Sequence, residues 1–135
     1  MRRLTVILLF LCGLVGCASG QSKDAADDLE QAVERLPAVS EAEMDVRGDL
    51  VNGDITYATV EVSHRASTEE VTDMILQIMP LAEEHGVGRL ESIEFTLAWF
   101  GIATDTQVEI DTSFGGPDRA EARRLARTLL AGSAP

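Results

Sequence analysis

The sequence predicts an α+β domain in the order αββαββα, with a four-stranded antiparallel sheet carrying all its helices on one face. Three observations lead there. Three segments place apolar residues at helical spacing, and four others alternate apolar and polar residues with period two. The two kinds follow one another as helix, strand, strand, twice over, before a last helix. Two such units most economically form one sheet whose apolar side is covered by helices.

The first helix is marked by Leu29, Ala32, Val33 and Leu36, and Pro37 closes it. The second has the clearest start in the chain. Ser67 and Glu70 form an S-x-x-E capping box, in which hydroxyl and carboxylate each satisfy a free backbone N–H. Val71, Met74, Ile75, Ile78, Met79 and Ala82 then make one apolar stripe, and Gly86 stops it. Pro80 is expected to kink or shorten the last turn. The third helix begins at Pro117, a good first-turn residue, and turns Ala122, Leu125, Ala126, Leu129 and Leu130 inward. Arg123, Arg124 and Arg127 fall toward its C-terminal half, where cations suit the dipole.

Four strands lie between. Ala42, Met44 and Val46 alternate with Glu41, Glu43 and Asp45; Ala58, Val60 and Val62 alternate with Tyr57, Thr59 and Glu61. Ile93, Phe95, Leu97 and Trp99 alternate with Ser92, Glu94, Thr96 and Ala98. Val108, Ile110, Thr112 and Phe114 alternate with Gln107, Glu109, Asp111 and Ser113. Asn52-Gly53 signals a hairpin between the first two. A two-residue turn there would set Val46 opposite Thr59 and mix the faces. A three-residue loop, or a bulge at Gly48, sets Val46 opposite Val60 and Met44 opposite Val62, so this register is expected.

The halves align loosely, Val39, Ala42, Met44 and Val46 matching Leu90, Ile93, Phe95 and Leu97. With Leu36-Pro37-Ala38-Val39 leading into an alternating strand, the pattern is similar to ferredoxin-like sandwiches, including the αββ modules of BON proteins and heavy-metal-associated domains. The chain has no CxxC, so the metal-carrying role of the latter does not transfer.

The N-terminus has a different character. Arg2 and Arg3 precede an apolar run from Leu4 to Leu14, too short for the roughly 20 apolar residues that span a bilayer. Leu14-Val15-Gly16-Cys17 follows and resembles the lipobox of bacterial lipoproteins. The resemblance implies that residues 1–16 are a signal peptide cleaved between Gly16 and Cys17. It further implies that the Cys17 thiol carries a diacylglyceryl group, with palmitate-type chains, as the first residue of the mature protein. Two chains anchor stably where one binds reversibly. The expected protein is therefore extracytoplasmic and held to a cell-envelope membrane by lipid. Residues 17–27 read as the lipidated cysteine and a flexible tether, and residues 28–135 as a single α+β domain.

Of the two cysteines, Cys12 would leave with the signal and Cys17 would be acylated, which excludes a disulfide framework or thiolate metal site. The chain has 11 basic and 23 acidic side chains, a formal charge of −12. Losing Arg2 and Arg3 leaves 9 against 23, or −14. That balance argues against nucleic acid, whose binding needs phosphate neutralisation, and against adhesion to anionic lipid by charge.

No catalytic motif stands out. His64 and His85, the only histidines, lack partners at HxxxH spacing, and there is no GxSxG or phosphate-binding loop. Arg47-Gly48-Asp49 spells an adhesion tripeptide but is accounted for as hairpin sequence. Gly115-Gly116 reads as a tight turn, since Pro117 removes a donor and Asp118 repels an anion. Met44, Met74 and Met79 fit core positions. No metal and no cofactor is expected.

The acidic positions carry the sharper reading. If the apolar residues face the helices, Glu41, Glu43, Asp45, Glu61, Glu94, Glu109 and Asp111 share the opposite face with Tyr57 and Thr59, while Ile55 adds to a less acidic patch. In the expected register Asp45 lies opposite Glu61, a like-charge pair that a cation or basic surface would relieve. The leading expectation is a non-enzymatic envelope module binding a protein partner, or itself, through this face or an edge strand. The alternative is a carrier of a small apolar ligand or lipid between helices and sheet, near Phe95, Trp99 and the methionines.

Overall fold

The computed structural model describes residues 20–49, 51, 53–113 and 115–135; the segment 1–16 expected as an export signal, and Cys17, lie outside the described residues. The elements are α1 (Gly20–Glu34), β1 (Val39–Asp49), β2 (Gly53–Ser63), α2 (Thr68–Glu84), β3 (Leu90–Trp99), β4 (Ile102–Asp111) and α3 (Arg119–Leu130). The class and order are those the periodicities predict. Among the described residues no helix is long and apolar enough to cross a membrane.

α1 begins earlier than composition suggests. Gly20 to Asp27, expected as tether, forms its first two turns, and Ala26 joins Leu29 and Val33 as the buried stripe. Spacing of three, then four, carries the apolar face back into sequence that looks polar on average. α2 has the predicted capping box. The Glu70 amide donates to Ser67 Oγ at 3.1 Å, and the Ser67 amide donates to the Glu70 carboxylate at 3.0 Å. The helix runs past Pro80 to Glu84, so the proline does not shorten it. At α3 the cap is Asp118, which accepts from the Glu121 amide at 2.8 Å, and Pro117 sits just outside rather than in the first turn.

The four strands lie in sequence order, β1-β2-β3-β4. β1 and β2 pair antiparallel, as do β3 and β4, but β2 and β3 run parallel, which corrects the all-antiparallel sheet expected. The physical reason lies in the connection. The 17-residue α2 returns the chain to the end where β2 began, so an adjacent β3 must point the same way. The molecule is thus two hairpins set side by side by one crossover.

Register within the first hairpin also differs in detail. Asp49 pairs with Gly53, leaving the three-residue loop expected, and Gly53 takes a φ of +79°. Its centre falls at Val51, however, so Met44 faces Ala58 and Val46 faces Thr56, not Val62 and Val60. The slide is an even number of positions and leaves every side chain on its predicted face. No bulge occurs at Gly48; the irregularity lies between Val39 and Glu41. Arg47, Gly48 and Asp49 are ordinary ladder residues, not a presented loop.

One core lies between the layers. Phe95, Ile93, Leu97, Val60 and Val62 from the sheet meet Leu29, Val33, Met74, Ile75, Ile78 and Leu129 from the helices, each no more than 1% exposed. Burying each such side chain contributes about 1.5–3 kcal/mol. After α3 the chain closes tightly on β4. A Cβ at Gly132 would fall on the Thr106 hydroxyl and within 2.8 Å of Leu97 Cδ2, so only glycine fits there.

Candidate functional site: the open sheet face

The side of the sheet away from the core gathers every acidic face residue read from the sequence, with Tyr57 and Thr59. Pairing places them in three rungs across the four strands. Asp45, Tyr57, Ser92 and Asp111 form one; Glu43, Thr59, Glu94 and Glu109 the next; Glu41, Glu61, Thr96 and Gln107 the third. The acids of the two edge strands are exposed, while Tyr57, Glu61 and Glu94 on the inner strands are half-buried.

Two rungs oppose like charges directly. Glu41 faces Glu61 across β1 and β2, and Glu94 faces Glu109 across β3 and β4. The partner of Glu61 is therefore Glu41; Asp45, expected opposite it, faces Tyr57 because of the shifted hairpin centre. Partial burial pushes the Glu61 carboxyl above its usual range, and the Glu41 charge pushes it the same way. Asp111 moves oppositely, lowered by hydrogen bonds from Ser113, whose amide donates to its carboxylate at 2.9 Å.

One corner is neutralised internally. Arg47 Nε donates to the Asp45 carboxylate at 3.0 Å, and its guanidinium lies 5.0 Å from the Tyr57 ring centroid. Sequence reasoning missed Arg47, although its i,i+2 spacing from Asp45 already put both on one face. Ile55, expected in the surface patch, is only 8% exposed and contributes little. Among the described residues no group of three or more His, Cys, Asp or Glu side chains is placed to hold a metal ion.

A second cluster sits at the end where β3 turns into β4. His64 stacks on Trp99 with ring centroids 4.2 Å apart, and Arg65 lies 4.8 Å from the Phe100 ring centroid. Phe100 is 71% exposed and holds a φ of 48°, a left-handed conformation costly for a side chain with a Cβ. His64, expected as an exposed residue, is thus half-buried against an indole. Of the residues named for the carrier alternative, Phe95 and Met74 are fully buried in the packed core, while Trp99, Met44 and Met79 are half-buried against it. A cleft of about 680 Å³ opens at the C-terminal end of α2, among Met79, Val87, Leu90 and Thr112.

No protein-family model matches the chain, and no curated protein matches it. Among solved structures it is similar to variants of the MamM CTD. One aligns at 14% identity and a TM-score of 0.43, covering 62% of this chain and 99% of that one. Another aligns at 14% identity and 0.41, covering 57% and 93%, and a nickel form gives 14% and 0.41 over 57% and 96%. Likeness at this level assigns neither family nor function to the chain.

Proposed function

We propose that this chain is a lipid-anchored protein of the bacterial cell envelope, acting without catalysis as an interaction module whose open sheet face binds a basic protein surface. The observation that carries the reading is the two pairs of opposed carboxylates, Glu41 with Glu61 and Glu94 with Glu109, on a face that none of the described helices covers. Like charges directly opposite weaken a sheet, so the arrangement is costly in the free protein and relieved in a complex. Self-association through the same face would set acid against acid, which favours a partner of opposite charge.

The anchor supports this reading through its spacing. Cys17 lies three positions before Gly20, the first described residue of α1, and so within roughly 10 Å of it at most. The early part of α1, with Lys23, Ala26 and Asp27, runs beside Met44, Asp45 and Val46. A lipid on Cys17 would then hold the β1–β2 turn toward the bilayer and leave the face accessible from the side.

Two measurements test the proposal in the native membrane. Labelled palmitate should enter the wild-type protein and not Cys17→Ser. A photocrosslinking residue at Thr59, in the middle rung, should capture a discrete basic protein, and Glu43→Lys with Glu94→Lys should abolish capture. Palmitate labelling unaffected by Cys17→Ser sinks the anchor. Capture that survives the charge reversals sinks the face.

A further inference from the structure

The two edges of the sheet are treated differently. Along β1 the outward amides are capped by α1: Met44 donates to the Glu30 carboxylate at 3.0 Å and Ala42 to Glu34 at 3.4 Å. Along β4 they are not. The Thr112 amide donates to the Glu91 carbonyl, and the Thr104 hydroxyl donates to the Leu97 carbonyl, so the odd residues of β3 bond toward β4. By alternation Val108 and Ile110 return those bonds, while the amides of Gln107, Glu109 and Asp111 point away from the sheet. No side chain among the described residues caps them. The earlier part of β4 is occupied differently, by a bulge at Thr104–Thr106 and the tail Ser133–Pro135 beside it.

Beside the open stretch runs a groove of about 400 Å³. The β4 edge at Glu109, Ile110 and Asp111 forms one wall, and Pro117, Arg124 and Leu125 line the other. A strand laid along β4 would have one row of side chains over Ile110 and Leu125 and the other beside Glu109 and Asp111 on the open face. The first row meets the half-buried Leu125 and the edge of Ile110 between the polar side chains of Glu121 and Arg124, and the second meets carboxylates.

We infer that the groove between β4 and α3 takes an extended segment of a partner protein, added to the sheet as a fifth strand, with alternating apolar and basic residues. The inference rests on the interaction-module reading and specifies the form of the partner. Charge complementarity selects it over a second copy of this chain, whose β4 would bring Glu109 and Asp111 against the same residues. Basic side chains on the outer row would also neutralise Glu109, opposed to Glu94 within the sheet.

The test uses the full chain in detergent and two synthetic peptides of identical composition, one alternating valine and lysine, the other with valines and lysines in separate blocks. The alternating peptide should bind at least tenfold more tightly and slow hydrogen exchange at the Gln107 and Glu109 amides. Glu109→Pro removes one outward donor without touching a bond to β3, a change edge strands accept, and should weaken binding at least tenfold. Glu109→Gln retains the donor and should lose less. Equal binding of both peptides overturns the inference, because charge alone then suffices, yet leaves the acidic face intact as a site. Unchanged binding by Glu109→Pro, or no binding by the alternating peptide, also overturns it, whatever the Thr59 crosslinking shows.

Discussion

Glu61 concentrates the chemistry of the face. Its carboxyl is raised by partial burial and by Glu41, so the folded protein holds that proton more tightly than the unfolded chain. The stabilising contribution is complete below the unfolded value of 4.5 and fades as pH climbs through the folded value. Glu61→Gln should therefore flatten this part of the pH–stability curve and stabilise the protein at neutral pH by about 0.2–1 kcal/mol, the range for a cross-strand pair. Urea unfolding of both proteins between pH 4 and 7.5 checks it. A wild-type curve that rises over this interval relative to the variant contradicts the assignment. Residue identity and strand period were enough to place Glu61 on the open face. Its partner was not legible, because Asn52-Gly53 resembles a two-residue turn while the ladder closes around Val51.

At the scale of elements, α1 does two jobs. Its apolar stripe closes the core, and its Glu30 and Glu34 carboxylates occupy the β1 edge. Edge strands with free amides invite pairing with other chains, and a covering helix is one way to prevent it. The double variant Glu30→Ala, Glu34→Ala should lose about 1 kcal/mol per hydrogen bond and associate through β1 as concentration rises. Sedimentation and denaturant titration read both effects; a monomer of unchanged stability would show that the carboxylates cap nothing of consequence. The periodicity of α1 was readable from Leu29 onward. Its first two turns were not, because the polar run 20–25 hides the single buried Ala26. The capping box of α2, by contrast, is wholly local and is seen as written.

For the molecule as a whole, charge is the dominant global property. With 23 acidic side chains against 11 basic, self-repulsion opposes compaction, and most of the surface acids are exposed enough for salt to screen. Raising sodium chloride from 20 to 500 mM should increase the melting temperature by a few degrees, since about 1 kcal/mol shifts it by roughly 2–8 °C in domains of this size range. The gain should shrink in Glu41→Gln, Glu94→Gln. Circular dichroism melts check it, and a salt response identical in the two proteins would mean that the opposed pairs are not where the repulsion resides.

Local patterns settled what depends on a residue and its near neighbours. They determined the three helices and four strands, the α2 cap, the inward and outward faces, and so the collection of Tyr57, Thr59, Glu61, Asp45, Glu43, Glu94, Glu109 and Asp111 on one surface. Period two and period 3.6 are properties of the backbone, and burial enforces them. Tertiary structure decided what depends on elements meeting across long separations. It set β3 parallel to β2, placed Glu41 rather than Asp45 against Glu61, capped one sheet edge from α1, and left a groove at the other. Alternation states which way a side chain points but carries no record of the strand beside it, and that neighbour is chosen only when crossover, hairpin centre and core close together.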